Sequence, residues 1–262
     1  MKTKKTTAIQ ALVLLALSLT LALAFTALSL TGCSGSGGGG KSLNSAEALK
    51  EYLDKQPANS PDKPIKVAMK ANDMMIGQIV GVIVSAGKYV SLDLSGSPLT
   101  EIPREAFRGC KMLAGITIPD SVTSIGFLSF CQTGLTSITI PNSVTYIDSS
   151  AFERCTSLTG ITIPNSVTVI GDSAFGGCTS LTSVTIPNSV TKIDPGAFGG
   201  CDNLTSVTFQ GTIAPDNLGE DYSFFVSSPF PGDLRDKYLA GGIGTYTTTA
   251  PVDWNDSIWT KQ

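Results

Sequence analysis

Six cysteines and no histidine set the chemistry open to this 262-residue chain. A thiol can be acylated or alkylated, oxidised to a disulfide, or used as a metal ligand. Cys110, Cys155, Cys178 and Cys201 share one position of a repeated pattern. Cys131 falls out of that register, because its repeat is one residue short after Phe130. A line of cysteines with no histidine to join them suits a metal poorly, since a metal needs donors gathered around a point. Packing as small apolar groups explains a repeat-locked thiol best. Disulfides between some of them stay open if the chain is exported, although five cannot all pair. Cys33 stands apart from this set. It follows a segment from Ala8 to Leu30 that carries no charge, and Lys2, Lys4 and Lys5 precede that segment.

A basic start, an apolar stretch and small residues beyond it read as an export signal. The segment ends Leu30-Thr31-Gly32-Cys33 and resembles a bacterial lipobox. The resemblance implies a diacylglycerol on the Cys33 thiol, cleavage before it, and acylation of the new amine. About 20 apolar residues can also span a bilayer, so an uncleaved anchor is the competing reading. Both readings put the rest of the chain outside the cytoplasm. Loss of residues 1–32 removes three lysines and no acids, leaving a net charge of 15 − 21 = −6. A nucleic-acid partner would need a basic patch, and none is visible.

The cysteines and any surface they serve must be positioned by the elements downstream. Residues 34–40 (SGSGGGG) read as a flexible tether, so 33–43 is expected to be lipidated Cys and linker. Residues 44–55 read as a helix opened by a capping-box-like Asn44 and Glu47. Residues 65–69 alternate as a strand. Ile76, Ile79, Val80 and Ile83 mark one helix face, and 89–94 alternates again. Residues 44–89 are therefore expected to form an N-terminal α/β cap.

From about residue 90 to 210 the chain repeats. LTSITIPNSVTYIDSSAFERCTS is followed by two further 23-residue copies, with a shorter copy and a divergent one before them and a fragment ending at Phe209. A period in the twenties means a solenoid. The pattern L-x-x-I-x-I-P-x-S-V-x-x-I-x-x-x-A-F-x-x-C resembles the leucine-rich repeats of the BspA-like bacterial surface lipoprotein family. It implies an α/β leucine-rich-repeat solenoid: short parallel strands in about five rungs, closed by the N-terminal cap and by a C-terminal cap over 211–262. The same resemblance implies surface exposure, with adhesion to host matrix proteins or to other cells.

In each rung the apolar positions (Leu135, Ile138, Ile140) are expected to point inward, and Ser137 and Thr139 outward. Thr117, Thr139, Thr162, Thr185 and Thr208 then form a column on the strand face, which is the candidate binding surface. Gly115, Ser137, Gly160, Ser183 and Ser206 run beside it, and Thr123, Thr145, Thr168 and Thr191 make a second threonine column. Threonine also favours exposed strand positions for its own sake. The face has no Trp, Tyr or Arg of the kind that anchors tight interfaces, so contact through it is expected to be weak and multivalent. Aromatic residues gather instead after the repeats. Tyr222, Phe230, Trp254 and Trp259 are candidate contacts, or else the closure of the last rung, and residues 233–240 read as one helix. No nucleophile elbow or phosphate loop is present, which argues against an enzyme. No catalytic residue, metal or cofactor is expected beyond the lipid on Cys33. The functional expectation is a membrane-anchored adhesive lipoprotein at the outer membrane or cell surface. The alternative is a passive structural lipoprotein of the surface or periplasm.

Overall fold

The computed structural model describes residues 41–219, 228–252 and 257–262. Ser45 rather than Asn44 caps the first helix, its hydroxyl accepting from the Ala48 N–H at 3.1 Å. Helix α1 (Ala46–Asp54) thus starts one residue later than the capping-box reading, and it buries Ala46, Leu49 and Leu53. Strand β2 (Ile65–Met69) stands where alternation predicts it. Helix α2 (Asp73–Ala86) is capped by Asn72 and buries Ile76, Ile79 and Ile83. It stops at Gly87, whose φ of 61° suits a residue without a Cβ. Strand β3 (Val90–Asp93) follows. One strand was not expected: β1 (Lys41–Leu43) lies where the tether reading runs on to residue 43, and it pairs in parallel with β2. Leu43 is buried at 4% exposure, so the last residues of the stretch that composition marks as linker are packed against the cap.

The repeats wind around three inter-rung ladders. The first holds β5 (Leu113–Thr117), β7 (Ser137–Thr139) and β9 (Gly160–Thr162), in the sheet order β1-β2-β3-β5-β7-β9. Strands β11 (Ser183–Ile186) and β13 (Ser206–Phe209) continue the face in a separate sheet. The prolines after β5, β7, β9 and β11 (Pro119, Pro141, Pro164 and Pro187) keep these strands short, because proline has no N–H to donate. The second ladder is built from two-residue strands: β4 (Glu101–Ile102), β6 (Ser124–Ile125), β8 (Tyr146–Ile147), β10 (Val169–Ile170) and β12 (Lys192–Ile193). Their isoleucines are fully buried.

The third ladder has no strand assignment. Alternate N–H groups before and after each Phe donate to the next turn, as Glu105 N to Phe127 O at 2.8 Å and Phe107 N to Ser129 O at 2.7 Å. This aim requires a left-handed residue two before the Phe. Glu105, Leu128, Ser150 and Ser173 adopt it, with φ of 56°, 55°, 55° and 52°. Such a φ costs roughly 1 kcal/mol for a residue with a Cβ, and each of these residues gains an inter-rung bond in return. Inside the ladder the rings of Phe107, Phe130, Phe152, Phe175 and Phe198 stack at 5.2–5.3 Å between centroids.

The stack does not end with the readable repeats. Phe230 lies on Phe198 at 5.1 Å, with 4° between the ring planes. Gly196 N and Phe198 N donate to Ser228 O and Pro229 O, and Ile193 bridges to Leu218. Residues beyond Phe209 therefore build a further, degenerate turn. Pro229 takes the place of Ala151 and Ala174, whose N–H groups bond within their own turn, so its missing N–H takes no donor from the inter-turn ladder. The repeat face carries six strands, β3 to β13, rather than about five. Its far edge is covered by β14 (Gly244–Thr247), antiparallel to β13, and then by β15 (Thr260–Lys261). Helix α3 (Leu234–Gly241), one residue later than expected, buries Leu234 and Tyr238 against this end.

Candidate binding surface

The strand face is regular because its registers are regular. Thr117 pairs with Thr139, Thr139 with Thr162, and Thr185 with Thr208. Thr117, Thr139, Thr162 and Thr185 are exposed, and among the described residues none of their hydroxyls bonds another protein group. Thr208 differs. It is half-buried, and its hydroxyl meets that of Thr245 on β14 at 2.9 Å, so the open column ends at Thr185. Ser137 and Ser183 are exposed in the row beside this column, and Gly115 and Gly160 interrupt that row with positions that carry no side chain.

The second threonine column is spent internally. Thr123, Thr145, Thr168 and Thr191 donate their hydroxyls to the carbonyls of Thr100, Thr123, Thr145 and Thr168, at 3.2, 3.4, 3.1 and 3.2 Å. Ser121, Ser143 and Ser166 do the same toward Leu99, Val122 and Val144. These hydroxyls fasten one turn to the one before it.

The repeated cysteines are free, buried thiols. Cys155, Cys178 and Cys201 donate to Phe130 O, Phe152 O and Phe175 O at 3.0, 3.2 and 3.2 Å. Burial pushes Cys110 and Cys155 up to about 11 and Cys201 up to about 12, and raises Cys178 well above the ordinary thiol range. A thiol held protonated is a poor nucleophile and a poor ligand. Among the described residues no group of three or more His, Cys, Asp or Glu is placed to hold a metal ion. In the short second repeat Thr133, not Cys131, takes the ladder place, buried beside Cys155 Sγ at 3.2 Å. Its offset of three from Phe130, matching Phe152 to Cys155, is the signal that finds it.

Two of the four aromatic candidates are core. Phe230 is fully buried in the ring stack, and Trp259 is 1% exposed with its indole N–H on Pro231 O at 3.0 Å. Neither side chain has surface to offer a partner, which corrects their reading as contacts. Tyr222, Trp254 and Cys33 lie outside the described residues. No helix among the described residues is long and apolar enough to cross a membrane.

A surface feature that composition did not suggest sits at the short repeat. An indentation of about 440 Å³ opens there, lined by Tyr89, Lys111, Gln132, Arg154, Thr156 and Ser157 among others. The missing residue after Phe130 is its only signature in the sequence.

Residues 100–224 match the family model described as BspA type leucine rich repeat region, in six copies. No curated protein matches. Among solved structures, the chain is similar to a leucine rich repeat protein from T. pallidum (39% identity, 45% of this chain and 58% of that one, TM-score 0.44). It is also similar to a leucine-rich repeat protein from Bacteroides ovatus (29% identity, 46% and 38%, TM-score 0.38). A third is a leucine rich cell surface protein from Faecalibacterium prausnitzii (27% identity, 59% and 46%, TM-score 0.37). The aligned part spans well under two thirds of each of these chains.

Proposed function

We propose that this chain, whose residues 100–224 match the BspA type leucine rich repeat region, is a membrane-anchored surface lipoprotein that adheres through its strand face. The observation that carries the reading is the contrast between the hydroxyl columns. Thr117, Thr139, Thr162 and Thr185 stay open on the strand face, whereas Thr123, Thr145, Thr168 and Thr191 are engaged. Four open rungs of small polar groups make a flat surface with no aromatic or arginine anchor, so each contact is weak. Many copies on one membrane supply the avidity, since a second engagement between the same surfaces is effectively intramolecular. The partners are proteins of host matrix or of other cells. Anchoring runs through Cys33, where several acyl chains at about 0.8 kcal/mol per buried methylene hold firmly.

Two measurements test this. Beads carrying the chain at high density are expected to bind matrix proteins or partner cells, and Thr162→Glu with Thr185→Glu to lower that binding at least tenfold. Absence of binding by the unmodified chain at any density refutes adhesion and leaves the passive structural role. Separately, Cys33→Ser is expected to abolish incorporation of labelled fatty acid and to leave the export signal uncleaved. Labelling that persists in this variant refutes the lipid site.

A further inference from the structure

We infer that the indentation at the short second repeat is a binding subsite for an acidic saccharide, a carboxylate on a polyhydroxyl ring. The notch has a simple origin. From its Phe to the leucine opening the next strand, the second repeat runs Phe130 to Leu135, whereas its neighbours run Phe107 to Leu113 and Phe152 to Leu158. One residue fewer draws this loop inward, while the Lys111 loop on one side and the Thr156–Ser157 loop on the other keep full length. Gly134 lets the shortened loop seat: a Cβ there would run into the Lys111 carbonyl, and its N–H donates to Cys110 O at 3.3 Å. No side chain at that position can refill the space. Tyr89, just before β3, closes one side.

The lining selects a ligand class. Lys111 and Arg154 are exposed cations in a chain whose part beyond residue 32 is net negative, and among the described residues no carboxylate lines the notch. Lys111 has no acidic partner among the described residues. Arg154 is exposed and meets Glu153 at 3.6 Å through its Nε. A guanidinium and an ammonium on one lining favour a carboxylate. The Gln132 amide and the Thr156 and Ser157 hydroxyls donate and accept, as a ring bearing several hydroxyls requires. Tyr89 adds an apolar ring with a polar tip. An acidic peptide fits less well. Peptide capture by strand addition needs an unpaired backbone edge, and here the loop amides are engaged, as Gly134 N to Cys110 O and Gln132 N to Glu153 O. The volume, about 440 Å³, lies in the range of small-ligand sites.

The test uses the full chain in detergent micelles, titrated with sialyllactose and a hyaluronan tetrasaccharide, which separate sialic from uronic acid. Lactose is the neutral control and hexa-aspartate the acidic-peptide control. Binding of at least one acidic saccharide is expected, at least tenfold tighter than lactose and weakened by added salt. Arg154→Gln is expected to weaken it about tenfold and Lys111→Gln about threefold. Ser157→Trp, which fills the notch from an exposed position, is expected to abolish it without altering the circular dichroism spectrum. No binding of either acid, equal binding of lactose, equal or tighter binding of hexa-aspartate, or unchanged binding in all three variants overturns the assignment. The strand-face variants leave this readout untouched, so failure here and failure of adhesion are separate results.

Discussion

Thr139 and Thr145 are both exposed and belong to the same turn, yet one hydroxyl is free and the other is bonded to the previous rung. Their columns share one period and one residue type. The difference lies in where the backbone carbonyls of the neighbouring turn point. On the strand face the side chains stand perpendicular to the sheet, and carbonyls run along the ladder and meet N–H groups. After the proline the chain turns, and a carbonyl of the preceding turn comes within reach of each Thr hydroxyl. Exposure alone therefore does not identify a binding face; spent and unspent hydroxyls do.

The largest effect removes what both columns rest on. Phe152→Ala takes a ring from the middle of the stack and should cost about 3–5 kcal/mol in denaturant unfolding. Loss of less than 1 kcal/mol would mean the ring stack does not hold the turns in register. Alkaline pH comes next. The buried thiols have folded pKa values above their unfolded ones, at about 11 for Cys110 and Cys155 and about 12 for Cys201. Their contribution is complete below the unfolded value and is lost as pH rises toward 11 and 12. Each pKa unit is worth about 1.4 kcal/mol, so the unfolding midpoint should fall steeply between pH 9 and 11. Cys155→Ala should flatten that slope, and thiol reagents at neutral pH should label the unfolded chain but not the folded one.

A smaller effect has the opposite sign. Ser129 is fully buried with no hydrogen-bond partner for its hydroxyl among the described residues, at the place that Ala106, Ala151, Ala174 and Ala197 take in the other turns. Ser129→Ala should stabilise by roughly 1–2 kcal/mol, because an unpaired buried hydroxyl carries its desolvation cost unrepaid. The smallest effect addresses the columns directly. Thr145→Val and Thr168→Val should each cost roughly 0.5–1 kcal/mol, while Thr139→Val and Thr162→Val stay within about 0.5 kcal/mol. Equal costs in both pairs would erase the distinction on which the adhesive face rests.

Much of this was legible because copies align. The inward leucines and isoleucines, the phenylalanines and the thiols recur every 22 or 23 residues, and periodic burial follows from periodic sequence. What stayed hidden breaks the period. Phe198 and Phe230 are 32 residues apart, so the last turn did not read as a repeat. Thr133 replaces a cysteine, and only its offset from Phe130 betrays it. The helix cap moved from Asn44 to Ser45 because either residue type can accept the first amide, and backbone geometry chose between them. Contact and closure of the last rung stayed open for Phe230 and Trp259, because composition carries no information on burial at an irregular end.

By itself the sequence determined the solenoid, its inward face and the placement of the repeat cysteines in the core. A local pattern copied along the chain can bury its apolar side in only one way when each copy stacks on the next. The tertiary structure alone decided which hydroxyls remain free, where the open column ends, and that one missing residue leaves a cationic notch. Each of these depends on groups brought together from different turns. Thr208 meets Thr245 across 37 residues, and Tyr89, just before β3, lines the same notch as Arg154 from a loop two turns on.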